Sequence, residues 1–156
     1  MPDIAFDSAA RLLVVLHAAA AIVLIGSTTH HALIAVGYLR GRNKVRLGRI
    51  YAATLSVAYT VTFVLGLCAY PTFRYHVRAL FLDRYEPWAS NLFDTKENFA
   101  ALGLPIVVLV FVMSRVIDVK EDRLLVRMYA ACALLLAAIV WFDVFSGIMI
   151  TMARGV

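Results

Sequence analysis

Four long apolar runs, separated by short polar segments, dominate the pattern of the chain. They cover approximately residues 12–39, 50–70, 99–117 and 124–152. As a helix rising about 1.5 Å per residue, the first run would be about 42 Å long, which exceeds the roughly 30 Å hydrocarbon core of a bilayer. The pattern therefore predicts an all-α integral membrane four-helix bundle, which forms a single transmembrane domain over residues 1–156.

The composition agrees with this prediction and narrows the set of partners. Hydrophobic residues make up 63% of the chain, against roughly 45–50% in soluble domains. The formal net charge is +5, but the basic residues gather at the ends of the apolar runs, as orientation in a bilayer demands. We therefore expect contact with the lipid bilayer and no nucleic-acid partner.

The short link between the first two runs predicts how the bundle is oriented. It reads "RGRNKVRLGR" over residues 40–49 and carries five basic residues and no acidic one. Positively charged loops stay on the cytoplasmic side of a membrane. The link is therefore predicted to be cytoplasmic, so that both termini and the 71–98 loop face outward (N-out/C-out). The expected location is the cytoplasmic (inner) membrane.

The 71–98 loop carries a pattern of its own. Four apolar residues in it fall on one helical face: Phe73, Val77, Leu80 and Phe81. Arg74 and Arg78 fall on another face. This arrangement predicts a short amphipathic helix that lies in the outer membrane interface.

Both ends of the loop also carry boundary signals. Pro71 is expected to end the second span. Asp94 followed three residues later by Glu97 has the spacing of a capping box, which predicts the start of the third helix.

Ionisable residues inside the apolar runs are the strongest candidates for chemistry, because they are rare in membranes and are functional by default. His17 and Asp143 both fall in the outer half, so they can meet if the first and fourth spans pack together. His31 lies fourteen residues after His17, which places both on one face of the first helix. His30 points about 100° away from His31.

Two histidines at this spacing on one transmembrane helix resemble the haem ligands of di-haem cytochromes b. His17 is the first candidate ligand of a haem b or of a metal ion, and His31 and His76 are candidates for the second ligand. Arg74 and Lys96 are candidate charge partners of a haem propionate. Glu97, Lys96 and Asp143 are candidates for catalytic proton transfer.

Three segments carry a resemblance to a superfamily of four-helix membrane proteins. The segments are "LLVVLHAAAAIVLIG", "RLGRIYAATLSVAYTVTFVLGL" and "PWASNLFDTKENFAALGLPIVVLV". The early histidine with small residues after it, and the lysine before the third span, resemble the HemJ-type protoporphyrinogen oxidases and the copper-resistance membrane protein D family. The resemblance implies that His17 binds haem and that Lys96 matches the lysine at the start of the third helix.

Three functions remain open from the sequence. The first is a haem-binding redox protein, an oxidoreductase if it is an enzyme, that exchanges electrons with a quinone or a porphyrin. The second is a transport subunit for protons, copper or another divalent metal ion that uses His17 and Asp143. The third is an accessory subunit of a larger membrane complex. A homodimer is compatible with each of them.

Overall fold

A computed structural model describes residues 4–154 and is all-helical over that range. A short 3₁₀ turn, Asp7–Ala9, precedes the first helix. The α-helices are α1 (Ala10–Leu39), α2 (Val45–Thr72), α3 (Asp83–Tyr85), α4 (Pro87–Val116) and α5 (Arg123–Ala153). A π-helical segment, Phe73–Leu82, joins α2 to α3 without a break.

Four helical stretches of the described chain are long and apolar enough to cross a membrane. They contain α1, the continuous stretch from α2 to α3, α4 and α5. The prediction of an all-α protein with four membrane spans is therefore confirmed, and the chain is an integral multi-pass membrane protein. Large apolar side chains are exposed along all four stretches, where a bilayer would cover them.

The helices form a four-membered bundle in which each long helix has two main neighbours. Helix α1 packs against α2 and α5, and α4 packs against the same two helices. Small residues let the backbones approach closely, since Ala35, Ala52 and Ala133 are fully buried. Larger fully buried side chains, such as Leu55 and Leu136, fill the space between them.

The basic link reverses the chain between α1 and α2 within a few residues. Gly41 has a φ of +76°, a left-handed conformation that glycine adopts without strain. The backbone N–H groups of Gly41 and Arg42 donate to the carbonyls of Tyr38 and Gly37, at 3.0 Å each. These bonds satisfy the last carbonyls of α1, as at many helix ends that contain a glycine.

The expectation that Pro71 ends the second span is wrong. The chain stays helical through Pro71 and on to Tyr85. A proline removes one helical hydrogen bond and its ring presses on the preceding turn. Membrane helices tolerate this by local changes of hydrogen-bond register, and the wider π register begins at Phe73, two residues later.

The predicted capping box at Asp94 and Glu97 is also wrong. Helix α4 begins at Pro87, which occupies the first helical position, where a proline costs no hydrogen bond. Asp94 lies inside the helix and accepts two hydrogen bonds from the Arg78 guanidinium, at 2.6 and 2.8 Å. Its carboxylate therefore fastens α4 to the π-helical segment instead of capping a helix.

A second, smaller apolar cluster lies around this ion pair. It contains Val77 and Leu82 of the π-helical segment, Ala89 of α4 and Ile150 of α5. Three residues of the apolar face predicted in the loop, Phe73, Val77 and Phe81, thus pack within the protein, whereas the fourth, Leu80, is exposed.

Two tyrosines approach glycines of neighbouring helices so closely that a side chain at the glycine would not fit. The Tyr59 hydroxyl of α2 donates to the Ala100 carbonyl of α4 at 2.7 Å. A Cβ added at Gly103 would collide with the Tyr59 hydroxyl, and one added at Gly48 would collide with the Tyr38 hydroxyl. The α2–α4 contact therefore depends on the missing side chain of Gly103.

Gly103→Ala and Gly26→Ala form a matched pair that tests this contact. In both variants alanine favours the helix itself by up to about 1 kcal/mol. A Cβ at Gly26 meets nothing within 4 Å, so the Gly26→Ala variant should be as stable as the parent protein or more stable. Overpacking against Tyr59 should lower the free energy of unfolding of Gly103→Ala by about 1–3 kcal/mol.

Denaturation in mixed micelles, followed by circular dichroism, measures both variants. Equal stability of Gly103→Ala and Gly26→Ala would contradict the proposed close approach.

Candidate functional site: a polar cluster inside the bundle

His17 is held by the backbone of the neighbouring helix. Its Nδ1 lies 2.9 Å from the Thr62 carbonyl oxygen of α2. A carbonyl only accepts hydrogen bonds, so Nδ1 carries the proton and the lone pair is on Nε2. Gly66 faces the same ring, and a Cβ there would lie 3.3 Å from Cε1. The imidazole is half-buried, and its Nε2 has no hydrogen-bond partner in the described structure.

Lys96 of α4 reaches the neighbouring helix α5. Its chain passes Gly147, where an added Cβ would lie 3.6 Å from the lysine Cε. Its Nζ lies 5.9 Å from the centroid of the Phe93 ring. Gly147 follows Asp143 by four residues on α5, so the lysine passes α5 about one helical turn from the residue that carries the carboxylate.

Asp143 of α5 carries a carboxylate inside the bundle. Its Oδ1 is buried and has no hydrogen-bond partner among residues 4–154. Burying a carboxylate without partners is costly. The spans that carry His17 and Asp143 do pack together.

His31 lies in a different environment from His17, although both are on α1. It is fully buried, and its Nε2 and the Tyr129 hydroxyl of α5 are hydrogen-bonded at 2.6 Å. The Tyr129 ring also stacks on Tyr38, with 6.2 Å between centroids. The His31 Nδ1 and the Thr28 Oγ1 are buried without a partner in the described range. The nitrogen that most often binds iron is therefore already occupied by Tyr129.

His30 is directed away from His31, as its position in the helix predicts. It is exposed, and its Nδ1 donates to the Gly26 carbonyl at 2.7 Å. Its ring stacks on Tyr51 of α2, with 5.4 Å between centroids. The two adjacent histidines therefore contact different helices.

The other predicted site residues lie in or near the π-helical segment. The His76 Nε2 is 3.3 Å from Oδ1 of Asp7, and both side chains are partly exposed. The Arg74 guanidinium lies over the Tyr70 ring at 5.9 Å. Glu97 is half-buried in α4, one position beyond Lys96.

Sequence reasoning missed several residues that shape the site. Thr62 contributes only its backbone carbonyl, and Gly66 only its lack of a side chain, so no motif marks either of them. Tyr129 carried a readable signal, because a tyrosine inside an apolar run needs a partner for its hydroxyl. The sequence placed Arg78 on a polar face but did not reveal that its guanidinium binds the carboxylate of Asp94, sixteen residues later.

The described part of the chain contains no group of three or more His, Cys, Asp or Glu side chains that could hold a metal ion. Comparisons of the chain with family models, with curated proteins and with solved structures found no match.

Tyr129→Phe tests the hydrogen bond to His31 and has a natural control. Phenylalanine keeps the ring contacts but leaves both nitrogens of the buried imidazole without a partner. We expect a loss of about 1 kcal/mol in the free energy of unfolding, as for other interhelical hydrogen bonds in membranes. Tyr51→Phe keeps the stack on the exposed His30 and should change stability little. If the two variants lose the same stability in mixed-micelle denaturation, the buried bond has no special role.

Proposed function

We propose that this chain is a b-type haem-binding membrane protein with an electron-transfer role, and that His17 is the iron ligand. The observation that carries the proposal is the bond from Nδ1 to the Thr62 carbonyl. Histidines that bind metals usually donate the other ring N–H to a carbonyl or a carboxylate, which fixes the ring and leaves Nε2 free. Of the two histidines on this face of α1, His17 meets this condition, whereas the Nε2 of His31 is bonded to Tyr129.

The surroundings of His17 suit a flat, dianionic macrocycle. Gly66, which has no side chain, and the small, partly exposed Ala20 and Ala21 leave room beside the imidazole. Lys96, whose side chain passes Gly147 of α5, would pair with a propionate. The resemblance to the HemJ-type superfamily points to the same two residues, His17 and Lys96.

The porphyrin would lie against the surface of the bundle. Two grooves of the described structure have volumes of about 740 and 380 Å³, and His17 lines neither of them. The Nε2 of the half-buried His17 would hold the iron there, and a further ligand would come from another copy of this chain or from a partner subunit.

When a cofactor is oxidised or reduced in a medium of low dielectric, nearby charges or protons must compensate the change in its charge. Asp143 and Lys96 would supply this compensation, because the span of Asp143 packs on the span of His17 and Lys96 passes α5 at Gly147, one turn from Asp143. The haem would exchange electrons with a quinone or a porphyrin at the bundle surface.

A second candidate function is proton transport through the same cluster. The unpartnered Oδ1 of Asp143 favours it, since a carboxylate inside a membrane bundle is a usual element of proton relays. A copper or other divalent metal ion needs more ligands than His17 and Asp143 provide.

We further propose the N-out/C-out orientation in the cytoplasmic membrane. It rests on the five basic residues of the 40–49 link, which lie at one end of the bundle. The π-helical segment then lies at the outer interface.

The haem proposal predicts the absorption spectrum of the protein purified from cells supplied with haem. The parent protein should show a Soret band, and α and β bands after reduction with dithionite. His17→Ala should lose these bands, because it removes the iron ligand. His30→Ala removes an exposed histidine of the same helix and should keep them. A parent spectrum with aromatic absorbance alone would overturn the haem proposal and favour proton transport.

The orientation is tested with two exposed asparagines, in a background where Cys68 and Cys132 are serine. Asn43→Cys lies in the basic link and Asn91→Cys lies near the start of α4. In intact cells a membrane-impermeant maleimide should label Asn91→Cys, and it should label Asn43→Cys only after permeabilisation. The reverse pattern would show that the bundle has the opposite orientation.

A further inference from the structure

A basic groove lies between α2 and α4, at the end of the bundle that carries the 40–49 link. Its volume is about 740 Å³, and three arginines line it: Arg46, Arg49 and Arg115. Val45, Ile50, Ala53 and Thr54 complete its wall. None of the residues that line the groove belongs to the cluster around His17. Its chemistry is therefore independent of the proposed function.

Arg49 connects the two helices that form the groove. Its Nε donates to the Ser114 carbonyl at 3.2 Å, and its Nη2 donates to the Arg115 carbonyl at 3.3 Å. These are carbonyls of the last turn of α4, which have no partners within the helix. The bonds fasten the end of α4 to the start of α2 and fix the distance between the two walls.

The other two arginines have unused hydrogen-bonding capacity. Among residues 4–154, no acidic side chain forms an ion pair with Arg46, Arg49 or Arg115. The guanidinium of Arg115 lies over the Phe111 ring at 4.9 Å, a contact that leaves its N–H groups free for an anion. The groove therefore presents three positive charges with no internal counter-charge, which indicates an anionic ligand.

An apolar strip leads away from the arginines along α2. Ile50 and Thr54 of the groove continue into Val57, Val61 and Val64, which follow each other at intervals of three and four residues and so share one helix face. Ile50 and Val57 are 52% and 65% exposed. In a membrane-spanning helix this strip faces the acyl chains of the bilayer.

We propose that the groove binds an anionic phospholipid of the adjacent leaflet. Arg46 and Arg115 bind the phosphate through charge-assisted hydrogen bonds, and an acyl chain lies along the strip from Ile50 to Val57. Basic pockets between membrane helices bind acidic lipid headgroups in this way. A free phosphate would use the arginines alone, so the apolar strip favours a lipid.

Native mass spectrometry of the full chain in a neutral detergent tests the proposal with phosphatidylglycerol and phosphatidylcholine as probes. The parent protein should bind phosphatidylglycerol in preference. The Arg46→Gln/Arg115→Gln variant should lose about thirtyfold in affinity, since each arginine near an acidic lipid contributes about 1 kcal/mol. The control, Arg40→Gln/Arg127→Gln, removes the same charge from exposed positions outside the groove and should bind as the parent does.

A further variant and a soluble probe test the acyl strip. Thr54→Trp keeps every charge but fills the strip, so it should weaken binding of phosphatidylglycerol. Glycerol 3-phosphate, which carries the headgroup charge without acyl chains, should not displace the lipid. Arg49 is left unchanged because its bonds support the helix packing.

Three results would overturn the proposal. Equal losses in the two double variants would show diffuse attraction by the basic end of the bundle. Equal binding of the two lipids would show that charge does not select the ligand. Displacement by glycerol 3-phosphate would show that the groove is an anion site without lipid specificity.

Discussion

Every polar group inside an apolar bundle must find its partner within the protein, because hydrocarbon offers none. In this structure, side-chain hydrogen bonds meet that requirement across three of the four helix contacts. The bonded pairs include His17–Thr62 between α1 and α2, Tyr59–Ala100 between α2 and α4, and His31–Tyr129 between α1 and α5. Two of these three end on a backbone carbonyl, an acceptor that is present whatever side chain the position carries.

Four buried atoms do not meet this requirement within the described range: Oδ1 of Asp143, Nδ1 of His31, Oγ1 of Thr28 and Oγ1 of Thr72, at the end of α2. Thr28 and His31 are one turn apart on α1, whereas Asp143 is on α5, which packs against the helix that carries His17. The bundle therefore has two polar regions of different character. The region around His31 is closed and carries few charges, and the region around His17 is partly open and combines an imidazole, an ammonium group and a carboxylate.

The sequence was sufficient to predict the four spans, because long apolar runs leave a chain few alternatives in water or in lipid. It also indicated that the His17 and Asp143 spans can meet. It failed where a distant contact decides the outcome. Pro71 looked like a helix end, yet packing on α4 and α5 keeps the chain helical beyond it. Asp94 had the spacing of a cap, yet Arg78 binds it. The carbonyl that fixes His17 could not be predicted, because every residue of α2 carries one.

The contact between Tyr59 and Gly103 links two positions that are 44 residues apart in the sequence. A larger residue at position 103 is compatible with this packing only if the side chain at position 59 is smaller. A larger residue at position 103 alone would cause a collision, and a smaller residue at position 59 alone would leave a void. Tyr38 and Gly48 form a second pair of this kind. During divergence these positions should change together, so the two pairs would appear as correlated columns that identify the α2–α4 and α1–α2 contacts in distant relatives.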